Sequence, residues 1–131
     1  GFDIVIFKSV LGGVGTLGRG AQEHAMSEIL RVLKPGGRLF FAENLRGTFI
    51  HRLARTIAYR IRGTSWAYPT LAEVESLLAG FSHRHLTTTG VVAMFGVTEG
   101  QRRALAGLDR RFFNRIMPAS RRYVVYGVAV K

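Results

Sequence analysis

Cysteine is absent from the 131 residues, which removes disulfides, thiolate nucleophiles and the common zinc clusters from the possible chemistry. A reduced, cytoplasmic setting is the expectation that follows. Proline occurs only three times, and no Pro-rich linker, repeat or low-complexity tract divides the chain. Residues 1–131 are therefore expected to form one domain or part of one. Long apolar runs are lacking as well: residues 39–42 and 123–130 fall far short of the roughly 20 residues a membrane-spanning helix needs, and no signal-peptide pattern precedes them. Acid is scarce. Eight Asp and Glu face nineteen Lys and Arg, a formal net charge of +11. The excess is uneven, because residues 1–45 carry five basic against four acidic side chains and residues 46–131 carry fourteen against four. Such a field attracts phosphates, nucleic acid, acidic lipid headgroups or acidic substrates without choosing among them.

What is present is a strand, helix, strand opening. FDIVIFK over residues 2–8 has the continuous apolar character of a strand covered on both faces. Residues 21–33 place Ala25, Ile29, Val32 and Leu33 at helical spacing, with Glu23 early and Arg31 and Lys34 late, as the helix dipole prefers. Pro35-Gly36-Gly37 ends that helix, and residues 38–45 give a second apolar strand closed by Glu43-Asn44. Two strands joined in this way are expected to be parallel neighbours in a right-handed crossover. Helices are predicted over 48–62, ended by Gly63, over 70–78 with Thr70 and Glu73 as a capping box, and over 99–117, closed by Pro118. A strand is expected near 81–88 and a terminal one over 122–130, whereas 91–98 reads either way. The whole is an α/β arrangement with helices on both faces of the sheet.

GVGTLG at residues 13–18 matches the spacing of a nucleotide-binding glycine loop, and Glu43 closes the following strand, where an acidic residue would hold a ribose. Two readings are open, a phosphate or cofactor cradle and a loop or lid. The glycines start several residues beyond the apolar strand core, and Arg19-Gly20 delays the helix, both of which favour the loop or lid.

A more specific signal is the stretch FDIVIFKSVL followed by AMSEILRVLKPGGRLFFAEN. With Phe2-Asp3, Val10-Leu11, Glu28-Ile29 and RVLKPGG at residues 31–37 in that order, the chain resembles the class I S-adenosylmethionine-dependent methyltransferases. The resemblance is good over residues 1–45 and loose beyond them. It implies a partial Rossmann-like sheet, the last strands of a seven-stranded one, with flanking helices and an antiparallel final strand. It also implies that residues 1–131 are the C-terminal part of a methyltransferase domain. The strands bearing the family's own glycine loop and ribose-holding acid would then lie upstream, and residues 13–18 would fall on the substrate side.

On this resemblance the cofactor is S-adenosylmethionine and the reaction is methyl transfer to an unidentified small-molecule or lipid-linked acceptor, with the chain inactive when alone. Lys8, Ser9, Val10 and Leu11, at the mouth of the first strand, are carried over to the cofactor side. Glu43 and Asn44 end the next strand at the same edge and are substrate-side candidates, Glu43 as a group that orients or deprotonates an acceptor. His24 near the start of the first helix, and Trp66 and Tyr68 at a substrate entrance, complete the set. No catalytic residue is assigned, and His83 and His85, with neither Cys nor carboxylates beside them, are not expected to hold a metal.

A rival reading makes the basic half a binding surface. Residues 48–62 contain Arg52, Arg55, Arg60 and Arg62 and no acid, with Phe49, Leu53, Ile57 and Ile61 in a stripe beside them. That is the pattern of a helix lying on an anionic membrane, which would make the protein peripheral there. The same residues also fit a helix packed on the sheet with solvated arginines. Nucleic acid is the weaker partner, since the aromatics are not interleaved along a basic strand. Self-association through the edge of the first strand is a further expectation.

Overall fold

The computed structural model describes residues 1–63 and 66–131, with Arg62 described in its backbone alone. The β-branched and aromatic residues of the opening segment form β1 (Phe2–Lys8). A single turn, α1 (Leu11–Val14), and a 3-10 turn over Gly15–Leu17 lead into α2 (Arg19–Val32). β2 (Leu33–Asn44) begins earlier than the spacing predicts, because Gly36, at a φ of 75°, carries the Pro-Gly-Gly stop into the strand itself. β1 and β2 pair in parallel with Phe7 opposite Phe41, as a crossover unit requires.

The C-terminal half supplies α3 (Phe49–Arg62), α4 (Leu71–Leu77), β3 (His83–Thr89), α5 (Glu99–Leu108), α6 (Asn114–Ile116) and β4 (Val124–Val130). The ambiguous residues 91–98 include a 3-10 turn, Ala93–Phe95. The helix expected over 99–117 runs without interruption from Glu99 to Ile116 and contains one wide turn at Asp109–Phe113. Asp109 is the cause. Its buried carboxylate accepts the amides of Val91, Val92 and Ala93, each at 3.0 Å, and so ties that turn to the helix. Arg122 latches the same region onto the sheet by donating to the carbonyl oxygens of Asn114, Met117 and Thr88.

The sheet order is β1-β2-β4-β3, with β4 antiparallel to both neighbours. Alternation divides its side chains between two faces. Leu39, Phe41, Val125 and Ala129 point to one side, where Met26 of α2 and Val74, Leu77 and Leu78 of the α4 region bury them. Burial of these side chains is the main stabilising term. The expectation of helices on both faces is corrected here. Among the described residues the opposite face leaves Ile4, Ile6, Phe40 and Tyr126 exposed, because both helices that pack closely on the sheet do so from the Phe41 side.

Candidate functional site

The C-terminal ends of β1 and β2 lie side by side, and the residues that follow them form the candidate site. Ser9 extends β1 by one more bond, its N–H donating to Ala42 O at 2.9 Å. It then turns the chain through a φ of 54°, making it the one non-glycine among the described residues with a positive φ. A strained residue at a strand mouth is a recurrent feature of binding sites. Asn44 donates to the Ser9 hydroxyl at 3.2 Å. The two therefore occupy one face of the strand ends, while Glu43 points to the other.

Glu43 is buried, at 2% exposure. Its Oε2 accepts the Leu11 N–H at 2.6 Å, and Gln22 holds the Leu11 carbonyl from the other side at 2.8 Å. Burial pushes the Glu43 carboxyl up to about 7, against the amides of Leu11, Gly12 and Val10, which favour its charged form. It lies under the turn after β1 and clamps it. Leu11 is part of the core at 2% exposure, Val10 is 40% exposed, and Lys8 is exposed on the open sheet face.

Part of the glycine stretch is already bonded within helical turns. Val14 N–H donates to Val10 O and Gly18 N–H to Gly15 O, so these amides are already used within helical turns. Gly12 is needed for a different reason: a Cβ there would sit 3.1 Å from Trp66 Cε3 and 3.3 Å from Tyr68. The segment bearing Trp66 and Tyr68 therefore packs directly on the turn after β1, and Ala67 N–H donates to Gly12 O at 3.0 Å. His24 is exposed on α2, whose buried residues are Gln22 and Met26. It lines no part of this site.

Beyond the end of β2, a cavity of about 320 Å³ lies between α3 and that segment, lined by Arg46, Arg52, Arg55, Tyr59, Trp66 and Tyr68 among others. Arg55 is half-buried. It donates to Leu45 O at 2.6 Å, and its guanidinium lies over the Tyr68 ring at 4.0 Å. Burial lowers its pKa from the usual arginine value. The Tyr59 and Tyr68 hydroxyls share a hydrogen bond. The sequence pattern pointed to Trp66 and Tyr68 as substrate-side residues and to Arg52 and Arg55 only as part of a basic helix face, and it missed Arg46 and Tyr59. The available signal was the spacing of Arg52, Arg55 and Tyr59, which puts them on one side of a helix.

The orientation of α3 explains the omission. His51 is 1% exposed. It accepts the Thr48 N–H on Nδ1 at 2.9 Å and, with its proton on Nε2, donates to Val91 O at 2.6 Å. With His51 and Arg55 turned inward, the apolar stripe turns outward. Phe49, Leu53, Ile57 and Ile61 are 50–81% exposed, so the stripe is not packed on the sheet. No helix among the described residues is long and apolar enough to cross a membrane.

No protein-family model and no curated protein matches this chain. Solved structures do. Two structures of phosphoethanolamine N-methyltransferase 2 from Haemonchus contortus match 99% of the chain at TM-scores of 0.56 and 0.60 and 15% and 16% identity. One holds phosphomonomethylethanolamine and S-adenosylhomocysteine, the other S-adenosyl-L-methionine. A SAM-dependent methyltransferase from Methanosarcina mazei matches the same 99% at a TM-score of 0.55 and 14% identity. The chain spans 33% of the first two neighbours and 59% of the third. The four-stranded sheet, with its antiparallel β4 between β2 and β3 and its helices, has the class I S-adenosylmethionine-dependent methyltransferase fold.

Proposed function

We propose that the chain is the C-terminal part of a methyltransferase that uses S-adenosylmethionine to methylate a small acceptor. The observation that carries this reading is the composition of the β1 mouth within this fold. The strained Ser9, the half-exposed Val10 and Asn44 stand where open parallel sheets bind ligands. When bound, the cofactor supplies an electrophilic methyl group on a sulfonium. Ser9, Val10 and the backbone of Leu11 fit one wall of its pocket. With the Val14, Gly15 and Gly18 amides bonded within turns, residues 13–18 are a poor seat for the remainder, which would come from strands on the open side of β1. Lys8 is placed on the cofactor side only as a flanking charge. Glu43 acts as a positioning residue, holding the turn whose backbone forms that wall, and the acceptor would enter past Trp66 and Tyr68.

Amide chemical shifts recorded while S-adenosylmethionine is added to the chain test this. Weak binding that moves Ser9, Val10, Leu11 and Asn44 is the expected result. Saturation with no movement there, or with movement confined to residues 13–18, would overturn it.

A second reading is favoured by the outward stripe of α3. Its apolar residues with Arg52 and Arg60 beside them, and with no acid in the helix, match the chemistry of an anionic membrane surface. Chain should co-sediment with phosphatidylserine-containing vesicles and not with neutral phosphatidylcholine, and Leu53→Glu with Ile57→Glu should abolish the difference. Pelleting independent of lipid charge would remove this reading.

A further inference from the structure

We infer that the cavity between α3 and residues 66–68 is a binding site for a phosphomonoester group on the acceptor, with the aromatic side chains holding the acceptor's body. This rests on the methyltransferase reading for the ligand's role, although the site stands on its own geometry.

Three arginines, Arg46, Arg52 and Arg55, are among the residues lining the cavity, and no acidic residue is among its described lining. Glu73 touches only its rim, through Arg46 at 3.5 Å. Between Glu43 and Glu73 the sequence contains no acid at all, and of the three arginines only Arg46 has a carboxylate partner among the described residues. Arg55 makes the argument specific. A desolvated guanidinium needs partners to offset the loss of water, and Nη1 of Arg55 finds only the carbonyl oxygens of Leu45 and Arg46. Its Nε and Nη2 donate to none of the described residues. Stacking on Tyr68 holds the guanidinium plane in place, so its planar fork is pre-organised for two oxygens of an incoming anion. Arg52, one turn earlier on the same side of α3, has a guanidinium with no partner among the described residues. The lowered pKa of Arg55 accords with a desolvated cation that an anion would stabilise.

The rest of the cavity is aromatic. The rings of Tyr59 and Tyr68 lie 6.4 Å apart and nearly parallel, and Trp66, 6.2 Å from Tyr68, remains 41% exposed. A volume near 320 Å³ suits a small molecule and not a polymer strand. The cavity adjoins the turn after β1 through the Ala67 to Gly12 hydrogen bond, so a phosphate held there leaves the far end of its molecule near the strand mouth.

Trp66 is the sole tryptophan, and its fluorescence reports the cavity directly. Phenyl phosphate titrated into the chain without S-adenosylmethionine should change that fluorescence saturably, while phenol should not. Arg52→Gln should weaken binding about tenfold, the loss of one charged hydrogen-bond partner. Arg103→Gln, which removes an exposed arginine ion-paired with Glu99 on α5, should leave it unchanged. Equal weakening by both substitutions would mean a diffuse charge effect and would overturn the site, as would phenol binding as tightly as phenyl phosphate. A second arm separates two sources of the same group. Vesicles containing phosphatidic acid that compete with phenyl phosphate in an Arg52-dependent manner identify a lipid headgroup, and their failure to compete identifies a soluble phosphomonoester. Phenyl phosphate binding together with S-adenosylmethionine effects confined to residues 13–18 would retain this site and remove the methyltransferase reading. The reverse pair of results would remove this site alone.

Discussion

At the scale of single residues, Glu43 concentrates the most chemistry in the least accessible place. Its folded-state pKa, about 7, lies above the ordinary carboxyl value of 4.5 because burial disfavours the charged form more than the three surrounding amides favour it. The sign follows from proton binding. The folded state holds the proton more tightly, so this group's contribution is fully present below pH 4.5 and is lost as the pH rises toward 7. The full shift is worth about 3 kcal/mol. Denaturant unfolding of the chain between pH 4.5 and 7.5 should therefore show a decline that Glu43→Gln reduces, since the amide oxygen can still accept the Leu11 N–H without carrying a charge. An unchanged pH profile in that variant would show that Glu43 ionises freely in the fold. The sequence located Glu43 correctly at a strand end. It did not reveal on which side of the sheet the carboxyl falls, because a single-residue change in strand register decides that.

At the scale of elements, what was legible followed from local signals. The β1, α2, β2 unit, the Thr70 and Glu73 capping box on α4 and the start of α5 at Glu99 all rest on neighbours in sequence. Elements whose form depends on distant partners were read only in part. Helical spacing gave 99–117 as one helical run, which the structure has over 99–116, but not its wide turn, where the carboxylate of Asp109 is drawn to amides at residues 91–93. Similarly, periodicity identified the apolar stripe of α3 but not its direction, which His51 and Arg55 determine through bonds to Val91 and Leu45. The Asp109 contact should be strong. Removing a buried acceptor leaves three amides without their partner, so Asp109→Ala should lower stability by about 3 kcal/mol, read by urea unfolding. Glu99→Ala, which loses only an exposed ion pair with Arg103, should cost less than about 1 kcal/mol. Equal losses would mean that the Asp109 turn does not contribute to the cooperative unit.

At the scale of the whole molecule, charge and exposed apolar surface act against one another. The sheet has an open edge at β1, and its uncovered face presents Ile6 at 74% exposure beside Phe40 and Tyr126. An edge strand offers unpaired backbone donors and acceptors to any second strand. An apolar face adjoining that edge makes the pairing more favourable. The net charge of +11 opposes contact between copies, but only over the screening length, which shortens to about 8 Å at physiological ionic strength. Association through β1 should therefore strengthen with added salt, the reverse of the behaviour of contacts held by ion pairs. We predict that light scattering on the chain will show a mass that rises with protein and salt concentration. Ile6→Lys, which places a charge on the uncovered face without touching the core, should shift that mass toward the monomer. A strictly monomeric mass at high protein and salt concentration would show that the β1 edge is protected. A mass unaltered by Ile6→Lys would place the contact elsewhere, with the outward stripe of α3 the next surface to alter.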